Sequence, residues 1–104
     1  MSKEGISSTV PNAQVFQAIY IGSSQEVAIG ATSTQSSAVG PNTSIVRLVS
    51  DADCYVAIGS NPTAAAGGCL LSAGLTEYFA CDGGDKVAVI QKSAAGTLNI
   101  TEGA

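Results

Sequence analysis

The chain has 104 residues, enough for one domain with one core, and 45% of them are hydrophobic, which excludes compositional disorder. Its net charge is −4, and its four basic residues are too few to neutralise the phosphates of a nucleic acid or to bind an anionic membrane. We therefore expect neither nucleic acid nor membrane as a direct partner.

The core is predicted to be thin. Ala, Gly, Ser and Thr make up 49 of the 104 residues, and only 28 residues carry a large apolar side chain. Burial of apolar surface contributes roughly 25 cal/mol per Å², so small side chains contribute little. We expect contacts with other subunits, or with a larger assembly, to supplement this core.

The N-terminal residues 1–13 are polar and end in Val10-Pro11-Asn12, which predicts a flexible arm ahead of a single domain at 14–104. The start of the chain lacks the apolar core of a signal peptide, so we expect synthesis in a cytosol. The arm is our candidate contact with a lattice or another subunit, the alternative being a frayed terminus. Its candidate interface residues are Ser2, Lys3, Glu4, Ile6 and Val10.

The rest of the chain consists of short β-prone runs between Gly-, Pro-, Ser- and Asp-rich turns, with no helical periodicity over ten residues. The pattern predicts an all-β fold: a single β-sandwich, jelly-roll-like domain or small barrel of about seven or eight short strands. The predicted strands are 14–21, 26–30, a brief one at 37–39, 43–50, 54–59, 85–92 and 97–101, together with 69–74 and 75–81 as two short strands or one bent strand.

The stretch "CDGGDKVAVI" at 81–90 has the glycines of a phosphate-binding loop. A phosphate loop opens a helix, however, whereas this one leads into a β run, and two aspartates would repel phosphate. We interpret it as a tight hairpin turn whose glycines supply positive φ angles. Two carboxylate pairs, Asp51/Asp53 and Asp82/Asp85, offer a calcium site or an acid–base couple, but turn chemistry is the favoured interpretation.

Catalytic groups are scarce. The chain has no histidine, so Ser-His and Cys-His nucleophile pairs cannot form, and no nucleotide-binding motif occurs. Three cysteines, Cys54, Cys69 and Cys81, lack zinc-site spacing and are interpreted as buried, reduced residues. We expect no enzyme, no cofactor and no metal.

One segment resembles a known family. The order "VRLVSDADCYVAIGSNPTA", "EYF" and "GGDKVAVIQKSAAGTLNITEG", within residues 43–103, is similar to small structural proteins of tailed bacteriophages. The resemblance implies a virion protein, made in the host bacterial cytoplasm, of β-sandwich or jelly-roll type. It implies a capsid decoration (cement) protein on the capsid exterior, a dimer or trimer that binds the major capsid protein lattice. No catalytic motif carries over.

Two other functions stay open. One is another virion component, such as a head fibre base, a head–tail joining protein or a tail protein. The other is a carbohydrate-binding β-sandwich module, which would need Tyr20, Tyr55 and Tyr78 to point outward together.

Overall fold

A computed structural model describes residues 20–104, so that the predicted arm lies outside the described residues. Within residues 20–104 the chain forms eight β-strands and no helix. The predicted all-β class and the number of strands are confirmed. The strands are β1 (Ile21–Ile29), β2 (Thr34–Gln35), β3 (Ile45–Ser50), β4 (Cys54–Gly59), β5 (Cys69–Leu71), β6 (Glu77–Ala80), β7 (Lys86–Gln91) and β8 (Gly96–Gly103).

The strands form two four-stranded antiparallel sheets, ordered β1-β8-β3-β6 and β2-β7-β4-β5. The first strand therefore pairs with the eighth, the second with the seventh, the third with the sixth and the fourth with the fifth. This nested order is that of a jelly roll, in which the chain folds back on itself as one long rolled-up ribbon. Only the β4–β5 connection stays within one sheet.

Alternation along the strands builds the core. In β3, Val46 and Leu48 are fully buried, whereas Arg47 and Val49 between them are half-buried on the outer face. Side chains with this two-residue period from both sheets meet in the middle of the sandwich. The buried cluster consists of Val27, Ile29, Val39, Val46, Leu48, Cys54, Val56, Leu71, Val87, Val89, Leu98 and Ile100.

The structure corrects two predicted elements near the start. The predicted break between strands at 14–21 and 26–30 is wrong, because Ile21–Ile29 is a single strand whose register against β8 shifts between Ile21 and Ser24. Ladder hydrogen bonds to β8 on both sides of that bulge outweigh the local turn preference. The brief strand at 37–39 is also misplaced: pairing with β7 is limited to Thr34–Gln35, and Val39 enters the core from a loop.

The prediction of a hairpin turn at 82–85 is wrong, because β6 and β7 belong to different sheets. It carries the chain across the sandwich. Gly84 has the expected positive φ of 86°, and its N–H donates to the carbonyl oxygen of Val39 at 3.1 Å. Gly83 lies against the backbone of Pro41, so the turn is packed onto the loop that precedes β3.

The β4–β5 loop covers part of the outer face of the second sheet. Ala88 lies between the inward-facing residues Val87 and Val89 of β7 and so faces outward, yet it is fully buried. Its cross-strand neighbour Gln35 donates to Asn61 Oδ1 at 2.9 Å and to the Pro62 carbonyl oxygen at 2.7 Å. Ala64, in the same loop, is also buried. Small side chains in β7 and in the loop allow this close approach.

Candidate functional site

A groove of about 360 Å³ lies along one open side of the sandwich. We call it the edge groove. It lies where β5, the last strand of one sheet, meets β6, the last strand of the other. Its lining residues are Val56, Ala57, Ile58, Cys69, Phe79 and Ala80.

The groove exists because the two edge strands are short. β5 has three residues and β6 has four, against six in each of their partners β4 and β3. β5 pairs only with Cys54–Val56 and so does not cover Ile58, the next inward-facing residue of β4. On the other side, no described strand lies beyond β6 to cover Phe79. Ile58 and Phe79 stay partly exposed while they pack against the buried core. The groove is thus a part of the core's edge that no described strand covers.

The chemistry of the groove is apolar. Its lining contains no ionisable group other than the Cys69 thiol and no side-chain amide or hydroxyl. A polar small molecule would find few hydrogen-bonding partners there, since specific ligand sites place a few convergent polar groups among apolar ones. What remains is a surface suited to apolar side chains and, along the free edge of β6, to an extended backbone.

The cysteines differ from one another. Cys54 is buried as predicted, Cys81 is half-buried, and Cys69 is exposed, so the prediction that all three are buried is wrong for Cys69. Cys69 is exposed because its inward-facing position in β5 opens onto the groove. Burial raises the pKa of the Cys54 thiol. Burial, followed by the nearby carboxylates of Asp85 and Asp82, also raises the pKa of Cys81, so neither thiol is activated as a nucleophile.

The paired aspartates organise turns. The Asp51 carboxylate accepts a hydrogen bond from a backbone N–H of β8 at 2.7 Å, and that of Asp53 accepts one from the loop after β5 at 2.8 Å. In the other pair, the Asp85 carboxylate accepts from the backbone N–H of Asp82 at 2.9 Å. Within residues 20–104, no group of three or more potential ligands is arranged to hold a metal ion.

The three tyrosines do not form one platform. Tyr55 lies on the outer face of the second sheet, opposite Leu70. Tyr78 lies on the outer face of the first sheet, opposite Arg47, and is 36% exposed. Tyr20 precedes β1 at the far edge of that sheet. The carbohydrate-binding alternative depended on a shared aromatic surface, and these positions do not supply one.

The predicted interface residues of the arm lie outside the described residues. The edge groove was not predicted, because the sequence predicts two short strands or one bent strand over 69–74 and 75–81 but not that they end two different sheets. The available signal was the density of breakers: Gly67-Gly68 precedes β5 and Gly74 precedes β6. The five residues between Gly68 and Gly74 leave room only for a short strand at β5.

Comparisons with protein-family models, with curated proteins and with solved structures give no match. None of the described residues belongs to a helix long and apolar enough to cross a membrane. Fold and surface chemistry therefore carry the functional inference, together with the resemblance of residues 43–103.

Proposed function

We propose that this protein is a non-enzymatic structural protein of a tailed-phage virion, a capsid decoration protein that binds the exterior of the major capsid protein lattice. The observation that carries the proposal is the coincidence of the phage-like segment with a structural unit. Residues 43–103 span β3 to β8, which are six of the eight strands and include three from each sheet. The resemblance thus covers six of the eight strands and a little over half of the chain.

The positions of the tyrosines support this proposal over a sugar-binding role. Jelly rolls are common in viral capsid proteins and in lectins, so the fold alone does not choose between them. The dispersed tyrosines weaken the lectin-like alternative, since sugar-binding sandwiches usually present aromatic platforms. The virion proposal needs no such platform.

Charge and chemistry point in the same direction. Residues 20–104 carry three basic side chains, Arg47, Lys86 and Lys92, against seven acidic ones, so no basic surface competes for nucleic acid. The absence of histidine and the raised pKa of the thiols of Cys54 and Cys81 leave no activated nucleophile among these groups. A role through binding alone is consistent with both observations.

The proposed mechanism is stabilisation by mass action. A protein that binds the assembled lattice and not its dissociated subunits stabilises the lattice by RT ln(1 + [L]/Kd) per site, about 2.7 kcal/mol at a free concentration of 100 Kd. The contribution repeats at every lattice position, and an oligomer that touches two capsomers links them at high effective concentration. A modest interface per copy is therefore enough to resist disassembly.

The test is to mix the purified full-length protein with capsids that lack it and to image them by cryo-electron microscopy. We expect density at regular positions on the outer surface and a higher temperature of capsid disassembly. Empty lattice positions at saturating protein would reject decoration. Density confined to one vertex, or a free ring or filament, would instead favour a joining or tail component.

The arm needs its own variant. Deletion of residues 2–10 removes all five predicted interface residues from Ser2 to Val10, while the described fold from 20 onward is untouched. Reduced occupancy would assign the arm to the lattice contact, and unchanged occupancy would remove it from the mechanism. A glycan screen of the full-length protein with Tyr78→Ala as control addresses the carbohydrate alternative.

A further inference from the structure

Two incomplete apolar features lie at opposite edges of the first sheet. The edge groove is open at β6, and at the β1 edge Tyr20 and Ile21 are 88% and 75% exposed. Tyr20 and Ile21 are the last residues of the apolar run "VFQAIYI" at 15–21, whose first five residues lie outside the described part. A run so rich in β-branched and aromatic residues favours an extended strand with a partner.

The run has the side-chain pattern that the groove would accept. In an extended segment, Phe16 and Ala18 point to one side, and Val15, Gln17 and Ile19 point to the other. The first side is wholly apolar, like the groove lining. A strand added along β6 would place one side toward the open core and its backbone against the free edge, as in recognition by β-strand addition.

The sheet register decides which copy of the run can fill the groove. Ile21, Gly103, Ile45 and Ala80 are successive cross-strand partners, so they form one row across the first sheet. A new strand beyond β6 would lie four inter-strand spacings from β1, about 19 Å at about 4.8 Å each. An extended residue spans at most about 3.3–3.6 Å, so five or six residues are used up in crossing.

If residues 15–19 ran from β1 to the groove of their own chain, all of them would be needed to span that distance. They could not also lie in the groove. Tyr20 is held in place, since its N–H donates to the carbonyl oxygen of Ala104 at 3.2 Å. The same run on a neighbouring copy has no such limit. Exchange of an identical segment between copies is a low-cost route to a closed oligomer.

We propose that residues 15–19 of a second copy of this chain occupy the edge groove, with the Phe16 side chain as the anchor. The exchanged segment adds a strand to β6, covers Ile58 and Phe79, and buries the Cys69 thiol. The inference holds whether or not the protein belongs to a virion, because it concerns only contacts between copies. It also supplies the subunit contacts expected for a core of small side chains.

The experiment combines sedimentation of the full-length protein with thiol labelling. An uncharged maleimide is added over a range of protein concentrations, and the modification of Cys69 is followed by mass spectrometry of its peptide, which separates it from Cys54 and Cys81. We expect an oligomer that dissociates on dilution, with Cys69 labelled at least about tenfold faster once it is monomeric.

Matched variants locate the contact. Phe16→Asp places a charge on the groove side of the segment and should give a monomer with rapid Cys69 labelling at every concentration. Gln17→Asp adds the same charge on the opposite side and should behave as the unmodified protein. Cys69→Arg fills the groove from an exposed position, so it should give a monomer whose melting temperature matches that of the monomeric Phe16→Asp variant.

Several results would overturn the proposal. One is a full-length protein that is monomeric at all concentrations, with Cys69 either reactive or protected; protection in a monomer would mean that the groove is covered within one chain. Another is an oligomer in which Cys69 labels as fast as in the monomer. Equal effects of Phe16→Asp and Gln17→Asp would exclude the proposed orientation of the segment.

Discussion

The substitution Gly83→Ala tests the packing of the turn between β6 and β7. A Cβ atom at Gly83 would overlap the carbonyl oxygen of Pro41 and lie 2.8 Å from its carbonyl carbon and 2.9 Å from its Cα. All three atoms are backbone, so no side chain can rotate away. The loop before β3 or the turn itself must move instead.

We expect Gly83→Ala to lower the free energy of unfolding by about 2–3 kcal/mol, the upper part of the range for overpacking. For a domain of this size, 1 kcal/mol corresponds to about 4–8 °C, so the melting temperature should fall by about 8–24 °C. Urea unfolding followed by circular dichroism measures the change. Protein concentration must be held fixed, because association alters apparent stability.

Two glycines of the same protein serve as controls. Gly84 has a φ of 86° but open space at its Cβ position, so Gly84→Ala measures backbone strain alone, about 1–2 kcal/mol. Gly59 has open space and no positive φ, and Gly59→Ala should change stability by less than about 1 kcal/mol. If Gly83→Ala were as mild as Gly59→Ala, the turn would not be packed on Pro41 and the reasoning would fail.

Three further predictions concern side chains inside the fold. Glu102 Oε1 accepts hydrogen bonds from the Gly40 N–H at 2.9 Å and from the Thr43 hydroxyl at 2.7 Å. Glu102→Ala should therefore lower the free energy of unfolding in urea by about 1–3 kcal/mol, and Glu102→Gln by less. Equal losses would rule out a role for the acceptor oxygen. The buried Ser50 hydroxyl has no hydrogen-bond partner among the described residues, so Ser50→Ala should be neutral or stabilising by up to about 1 kcal/mol. A loss of stability would show that the hydroxyl has a partner in solution. The pKa of Cys54 is raised in the folded state, so the thiol of the unfolded chain ionises first and the free energy of unfolding should fall as pH rises above the ordinary thiol pKa of 9.0. In the presence of a reductant, Cys54→Ala should show a shallower fall. An unchanged slope would contradict the raised pKa of Cys54.

The sequence predicted the central strands well. The strand predicted at 54–59 coincides with β4. The strand predicted at 43–50 contains β3 with two extra residues at its start, and that at 85–92 contains β7 with one extra residue at each end. These strands lie in the middle of their sheets, where alternating apolar residues are bounded by Asp- and Gly-rich turns. Local pattern and burial agree there, so pattern alone suffices.

The failures lie at the margins and turns. The bulge at 22–24 has the composition of a turn, and only pairing with β8, more than 70 residues away, keeps it in a strand. The turn at 82–85 has the composition of a hairpin, but its flanking strands pair with β3 and β4 in different sheets. The residue types of such a segment predict that the chain can reverse direction there. They do not predict which strand the following residues pair with.

The all-β class, the number of short strands and the lack of histidine can be read from the sequence alone. These properties follow from residue types and short-range periodicity. The jelly-roll order and the edge groove are visible only in the folded structure. Both arise from pairing between strands distant along the chain, since the groove lies where β5 stops short of Ile58 and no described strand pairs with the outer edge of β6.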